Sequence, residues 1–110
     1  VTVKALLIAG RDIISVPSQW TQKSYAKNAD GIHCAVMSED ATCWCSDGVL
    51  FKAQGEASFS NVYIGAFELL SKIAKEHDPL VRSIISFNDA HSHSEVIAVW
   101  DEAILRANRL

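Results

Sequence analysis

The sequence predicts an all-α fold of about five helices in one domain spanning residues 1–110, and three observations carry that prediction. Val62, Ala66, Leu69, Leu70 and Ile73 recur at helical spacing, as do Val96, Ile97, Trp100, Ala103, Ile104 and Ala107. Residues 38–53 carry apolar side chains on nearly every side, which predicts a buried helix enclosed by the others. The chain has 110 residues, 49% hydrophobic and 21% charged, enough for a core without disulfide or metal staples.

Taken in order, residues 3–15 place Leu6, Leu7, Ile13 and Ile14 on one side of an amphipathic helix that Pro17 stops. Thr21 is a fair N-cap, and residues 22–28 are read as a short helix with Tyr25 one turn in. Asn28-Ala-Asp-Gly31 is a turn in which Gly31 takes the left-handed conformation. Residues 32–37 are too few for periodicity to separate strand from helix.

Ser38 is the expected N-cap of the central helix, with Glu39 and Asp40 in its first turn and only Ser46 and Asp47 facing water. Gly48 inside a helix costs about 1 kcal/mol relative to alanine, so its expected purpose is close approach of a neighbouring helix. Residues 54–60 form a loop, and Ser58 or Ser60 caps the next helix, which Asp78-Pro79 closes. Residues 80–87 have near-helical spacing, Asn88-Asp-Ala-His91 is turn-prone, and Ser92 with Glu95 forms a capping box opening the last helix. Glu102 and Arg106 form an ordered i,i+4 pair on its outside.

The net charge is -3 and the ten basic residues are scattered, so no basic stripe points to nucleic acid. No apolar run reaches the length of a membrane span, and charge interrupts the N-terminal apolar stretch before a signal sequence is complete, which gives a cytoplasmic expectation. Three cysteines without framework spacing read as reduced thiols.

Trp20-Thr-Gln-Lys, Ala29-Asp-Gly31, the helix containing Cys45 and Gly48, Ile85-Ser-Phe-Asn-Asp89, Ser94-Glu-Val96 and Trp100-Asp-Glu-Ala-Ile104 occur in an order that resembles an uncharacterised family of small bacterial and phage proteins. Phe87 stands where the family pattern has tryptophan. The resemblance implies no activity; it draws attention to Asn88, Asp89 and Cys45, and its only functional context is phage association.

The sharpest catalytic pattern places Cys43 or Cys45 near a helix start, with His91 or His93 as base and Asn88 or Asp89 as orienter, the logic of a cysteine-dependent hydrolase. Glu39 and Asp40 beside the thiols oppose thiolate formation, and small buried hydrophobes are the commoner fate of unpaired cysteine. A zinc set would combine Asp89, His91 and His93 with Cys43 or Cys45; the two cysteines point to opposite sides of a helix and cannot both ligate one ion, while Asp89-x-His-x-His could do so as an extended turn, against the plainer reading of a polar helix approach with solvated histidines. No metal and no cofactor are expected. Trp44 and Trp100 are expected in the core, and Trp20 at a helix start or an exposed patch. Asn88 and Asp89 are read as bridging backbone groups at a helix end.

The leading expectation is a non-enzymatic protein of bacterial or phage origin that binds another macromolecule, a protein partner, through Trp20, Asn88, Asp89, His91 and His93. The alternative is a small hydrolase using Cys45 with His91 or His93. Homo-oligomerisation through Tyr25, Phe59 or Tyr63 is a further option.

Overall fold

The computed structural model describes residues 2–108. It contains five helices, α1 Val3–Ile14, α2 Ser46–Gln54, α3 Asn61–His77, α4 Ile84–Ala90 and α5 His93–Ala107, together with two short antiparallel strands, β1 Ala26–Asn28 and β2 Ala41–Trp44. The all-α expectation is therefore corrected: the chain is mainly helical, but residues 20–45 are built from bends, turns and the two short strands.

The strongly periodic segments form as predicted. In α1 the Thr2 hydroxyl accepts the Ala5 N–H at 3.0 Å, and Leu6, Leu7, Gly10 and Ile14 are buried. Pro17 ends this helix and opens a single 3-10 turn, Pro17–Gln19. Ser60 caps α3, whose buried stripe includes Ala66, Leu70, Ile73 and Ala74. The Ser92 and Glu95 capping box is present at α5, which buries Val96, Val99, Trp100 and Ala103. Arg106 bridges Glu102 on its own helix at 3.3 Å and also reaches Glu76 on α3.

The predicted helix over residues 38–53 is the main correction. Ser38 bonds the Asp40 N–H at 3.2 Å in a local turn, residues 41–44 form β2, and helix begins only at Ser46. Thr42, Cys43 and Trp44 suit a half-buried pleated surface better than a helix, and β1 lies ready to pair with them: Ala26 faces Trp44 and Lys27 faces Cys43. Cys45 is the N-cap of α2, its sulfur accepting the Gly48 N–H at 3.3 Å. Ser46 and Asp47, expected to be wet, are 0% and 3% exposed.

Residues 22–28, read as helix, instead run through bends into β1. Two long-range interactions override the local helix preference: the Thr21 N–H donates to the Trp44 carbonyl at 3.0 Å, and Lys23 is held at φ +64° with its N–H on Asp89 at 2.8 Å. Gly31 does take the left-handed conformation, φ +76°. Beyond it the chain returns along β1, Lys27 facing His33, so that residues 32–34, β1 and β2 lie side by side.

Asn88, Asp89 and Ala90, expected in a turn, belong to the last turn of α4. That helix starts at Ile84 because Ser83 and Ser86 form a reciprocal capping box. Tyr63, offered as leftover apolar surface, is 5% exposed, stacked on Phe51 at 4.5 Å between ring centres.

The predicted purpose of Gly48 holds in kind but not in partner. A β-carbon there would overlap the Tyr25 carbonyl oxygen and lie 2.9 Å from the Tyr25 carbonyl carbon, so what presses on α2 is the bend leading into β1 rather than a helix. The Cys45 N–H donates to that same Tyr25 carbonyl at 3.3 Å. Glycine is what allows the strand region and α2 to share one contact plane.

Candidate functional site

The strand region docks on the helices through one buried amide. Asn88, 0% exposed, accepts three hydrogen bonds on Oδ1: from the Trp20 indole N–H at 2.8 Å, the Ser46 N–H at 3.0 Å and the Ser46 hydroxyl at 2.8 Å. Its Nδ2 donates to the Thr21 carbonyl at 3.0 Å and to Asp89 Oδ1 at 3.3 Å. The Trp100 indole N–H reaches the same Ser46 hydroxyl at 3.1 Å. Gln22 completes the knot by donating to the carbonyls of Asn88 and His91 at 3.1 and 2.9 Å, where α4 ends and would otherwise expose bare carbonyls. Asn88 and Asp89 thus do bridge backbone groups, as expected, but across the molecule rather than locally.

His91 and His93 are both committed elsewhere. The His91 ring stacks on Phe87 at 3.9 Å between centres, with Nε2 2.8 Å from Asp78 and Nδ1 3.2 Å from Glu95. Two carboxylates, one on each nitrogen, stabilise the charged ring: the hydrogen bond to Asp78 chiefly raises the His91 pKa above its ordinary value, with Glu95 adding to it. His93 donates from Nε2 to the Ile14 carbonyl at 2.6 Å and packs beside Trp20.

Because the His91 pKa is raised on folding, its pairs stabilise the fold fully below the ordinary value of 6.5, and that contribution is lost as pH rises through the folded value. Glu95, held down to about 2 chiefly by the Ser92 N–H, and Asp78, also lowered, behave in the opposite sense: their contribution is present above the ordinary carboxylate range and is lost as pH falls through their folded values. The urea midpoint is expected to fall between about pH 6 and about pH 8, and to fall less in His91→Gln. An identical fall in both proteins would contradict this.

Cys45 is 4% exposed, and burial pushes its thiol up to about 11, outweighing the hydrogen bonds from the Gly48 and Asp47 N–H groups. Neither His91 nor His93 is hydrogen-bonded to it. The structure therefore does not assemble the Cys45, His91, His93 constellation. The native chain treated with iodoacetamide near neutral pH should label at Cys34 and Cys43, both half-buried, well before Cys45; peptide mass mapping reads the order, and denaturant should abolish it.

Two adjoining cavities open where the strand region meets α2 and α4. The first, about 570 Å³, is lined by Lys23, Ser24, Tyr25, His33, Cys34, Cys45, Ile85 and Asp89. The second, about 520 Å³, is lined by Tyr25, Cys34, Val36, Met37, Phe51 and Phe59, among others. Tyr25 and Cys34 line both, so the two adjoin; taken together as a groove, the first cavity carries most of the polar side chains and the second is mainly apolar. Tyr25, Met37 and Phe59 are 51%, 41% and 74% exposed along it.

Of the residues predicted for a site, Asp89 and Cys45 reach this groove, while Trp20 and Asn88 lie in the knot behind it. Lys23, His33 and Cys34 were not singled out in the sequence: the long-range bond to Asp89 brings Lys23 to α4, and only the return of the chain along β1 brings His33 and Cys34 to the same cavity. The His33 Nδ1 lies 2.7 Å from the Ser24 hydroxyl, whose single proton goes to the Ala26 carbonyl. That hydroxyl must accept, so Nδ1 carries the hydrogen.

Behind the groove, the Tyr63 hydroxyl donates to Asp47 at 2.5 Å. Burial raises the pKa of both, with the Asp47 contact adding to the rise of Tyr63. Among the described residues no three His, Cys, Asp or Glu side chains converge to hold a metal ion, and no helix is long and apolar enough to cross a membrane.

No curated protein and no solved structure matches the chain. The sequence pattern of the Family of unknown function (DUF6197) matches residues 1–106, nearly the whole chain, and the protein belongs to that family.

Proposed function

We propose that the protein is a non-enzymatic binding protein that holds a segment of a partner protein in the groove between the strand region and α2 and α4. The observation that carries this reading is the pair of adjoining cavities that share Tyr25 and Cys34 in their walls. Each has the volume of a ligand pocket, and together they offer apolar lining with a few fixed polar groups. The scattered basic residues and the net charge of -3 favour a protein partner over nucleic acid. Its bacterial or phage setting follows from the motif resemblance alone.

The hydrolase alternative has less support. The Cys45 thiol is buried with a raised pKa, both expected bases are engaged elsewhere, and His33, which shares the cavity with Cys45, is hydrogen-bonded to Ser24.

Affinity capture from native lysate tests the binding reading when wild type is run beside Met37→Asp, Phe59→Asp and a control, Leu80→Asp, whose parent side chain is 93% exposed and borders neither cavity. A partner retained by wild type and control but lost by both groove variants, with unchanged circular dichroism, is the expected result. A partner that all four proteins retain would place the interface elsewhere.

A further inference from the structure

The groove carries more information about its occupant than its size. Its rim includes a free backbone edge. The bonds from the Asn28 N–H to the Ile32 carbonyl at 2.9 Å and from the Cys34 N–H to the Ala26 carbonyl at 3.2 Å flank His33 on both sides. Lys27 and His33 therefore form a non-hydrogen-bonded antiparallel pair, and in such a pair the N–H and C=O of each residue point away from the other strand. Among the described residues nothing occupies the outer N–H and C=O of His33. An exposed edge of this kind pairs with extended polypeptide, and Ile32 beside it is 60% exposed.

The polar end also carries a charge that is held in place but not neutralised. Asp89 Oδ1 accepts the Lys23 N–H at 2.8 Å and the Asn88 amide at 3.3 Å, which fixes the carboxylate at the cavity wall. Among the described residues no basic side chain lies within ion-pairing distance of it. The Lys23 backbone is held in the left-handed region to make this contact, a conformation unfavourable for a non-glycine residue and commonest where a site over-determines it. Asp47 lies behind the same wall, near enough to Tyr25 and Cys45 to disfavour further negative charge there. Charge complementarity thus calls for a cation at the polar end.

We infer that the occupant is an extended partner segment that pairs with the His33 edge, lays an arginine or lysine side chain against Asp89, and seats a large apolar side chain between Met37 and Phe59. This rests on the binding role proposed above and specifies its ligand. Alternate residues of a strand share a face, so the two anchors are expected an even number of positions apart.

The test titrates the isotope-labelled full chain with acetylated, amidated peptides in which one arginine precedes one phenylalanine by two or four positions in a serine and threonine background. The same peptides with glutamate for arginine serve as comparison. The expected result is movement of the His33, Cys34 and Met37 amide resonances, with the arginine peptides binding about tenfold more tightly.

Asp89→Asn retains an acceptor for the Lys23 N–H and should erase that preference while leaving the remaining spectrum in place. Equal binding of both peptide sets, binding without movement at His33, or no binding would each overturn the inference. So would the same resonances moving on concentrating the protein alone, since a second copy would then be the occupant. If the peptides fail while the capture experiment still returns a partner lost in the groove variants, the groove stands and only the basic segment falls.

Discussion

Gly48→Ala is expected to be the most damaging single-methyl change in the chain. The added carbon would overlap the Tyr25 carbonyl oxygen and lie 3.2 Å from the Tyr25 Cα. That neighbour is backbone and cannot rotate away. Relief requires α2 to separate from the strand region, which would stretch the Cys45 N–H bond to Tyr25 and loosen the N-cap that Cys45 gives to α2. Overpacking in a close-packed interior costs about 1–3 kcal/mol, and more where neither side can yield. We expect about 3 kcal/mol or more, a large part of the ~5–15 kcal/mol that holds a domain of this kind together. A urea denaturation series reads it directly. A loss no larger than the ~1 kcal/mol by which helix propensity favours alanine, or a net gain, would show that the contact yields easily.

Asn88→Ala should rank second. It leaves the Ser46 N–H, the Ser46 hydroxyl and the Thr21 carbonyl without their partner in the buried interior, and the Trp20 indole N–H without its partner at the half-buried edge of the knot. A buried polar group stripped of its hydrogen bond costs about 1–3 kcal/mol, and some relief comes from the Ser46 hydroxyl turning elsewhere. The expected total is about 3–5 kcal/mol.

Asn88→Asp separates geometry from chemistry. It keeps the acceptor for Trp20 and Ser46 but sets a carboxylate oxygen against the Thr21 carbonyl and places a charge beside Asp89 at 0% exposure. It should therefore also destabilise, and most strongly at high pH, where the carboxyl is ionised. A variant as stable as wild type at all pH values would mean that Nδ2 contributes nothing.

What was legible in the sequence follows the range of the interactions involved. Helices α3 and α5 could be read because their apolar spacing and their caps, Ser60 and Ser92, lie within a few residues of one another. The strand β2 could not. Thr42, Cys43 and Trp44 are too few to display a period, and what holds them extended is β1, itself set by the Lys23 contact to Asp89 far along the chain.

The same argument covers the candidate site. Asn88 and Asp89 stood out as polar residues near a helix end, yet nothing local reveals that Asn88 is fully buried or that its partners are Trp20 and Ser46. Cys45 stood out as a thiol near a helix start, which it is, but as the cap of α2 and not as a residue inside a helix capped by Ser38. His33 gives no signal at all in the sequence, because its position depends on a chain reversal at Gly31.

The knot around Asn88 also furnishes the groove with an optical reporter. Asp89, at the cavity wall, shares one oxygen with the Asn88 amide, and the other end of that amide holds the Trp20 indole N–H. Whatever draws on Asp89 from the groove alters the polarisation of this relay and with it the environment of the Trp20 indole directly, and that of Trp100 only at one remove, through the Ser46 hydroxyl. Trp44 and Trp100 bond instead to the Val36 carbonyl and the Ser46 hydroxyl. With Trp44 and Trp100 replaced singly to assign the signals, the emission of Trp20 would register occupancy of the groove in the unlabelled protein, before any partner has been identified.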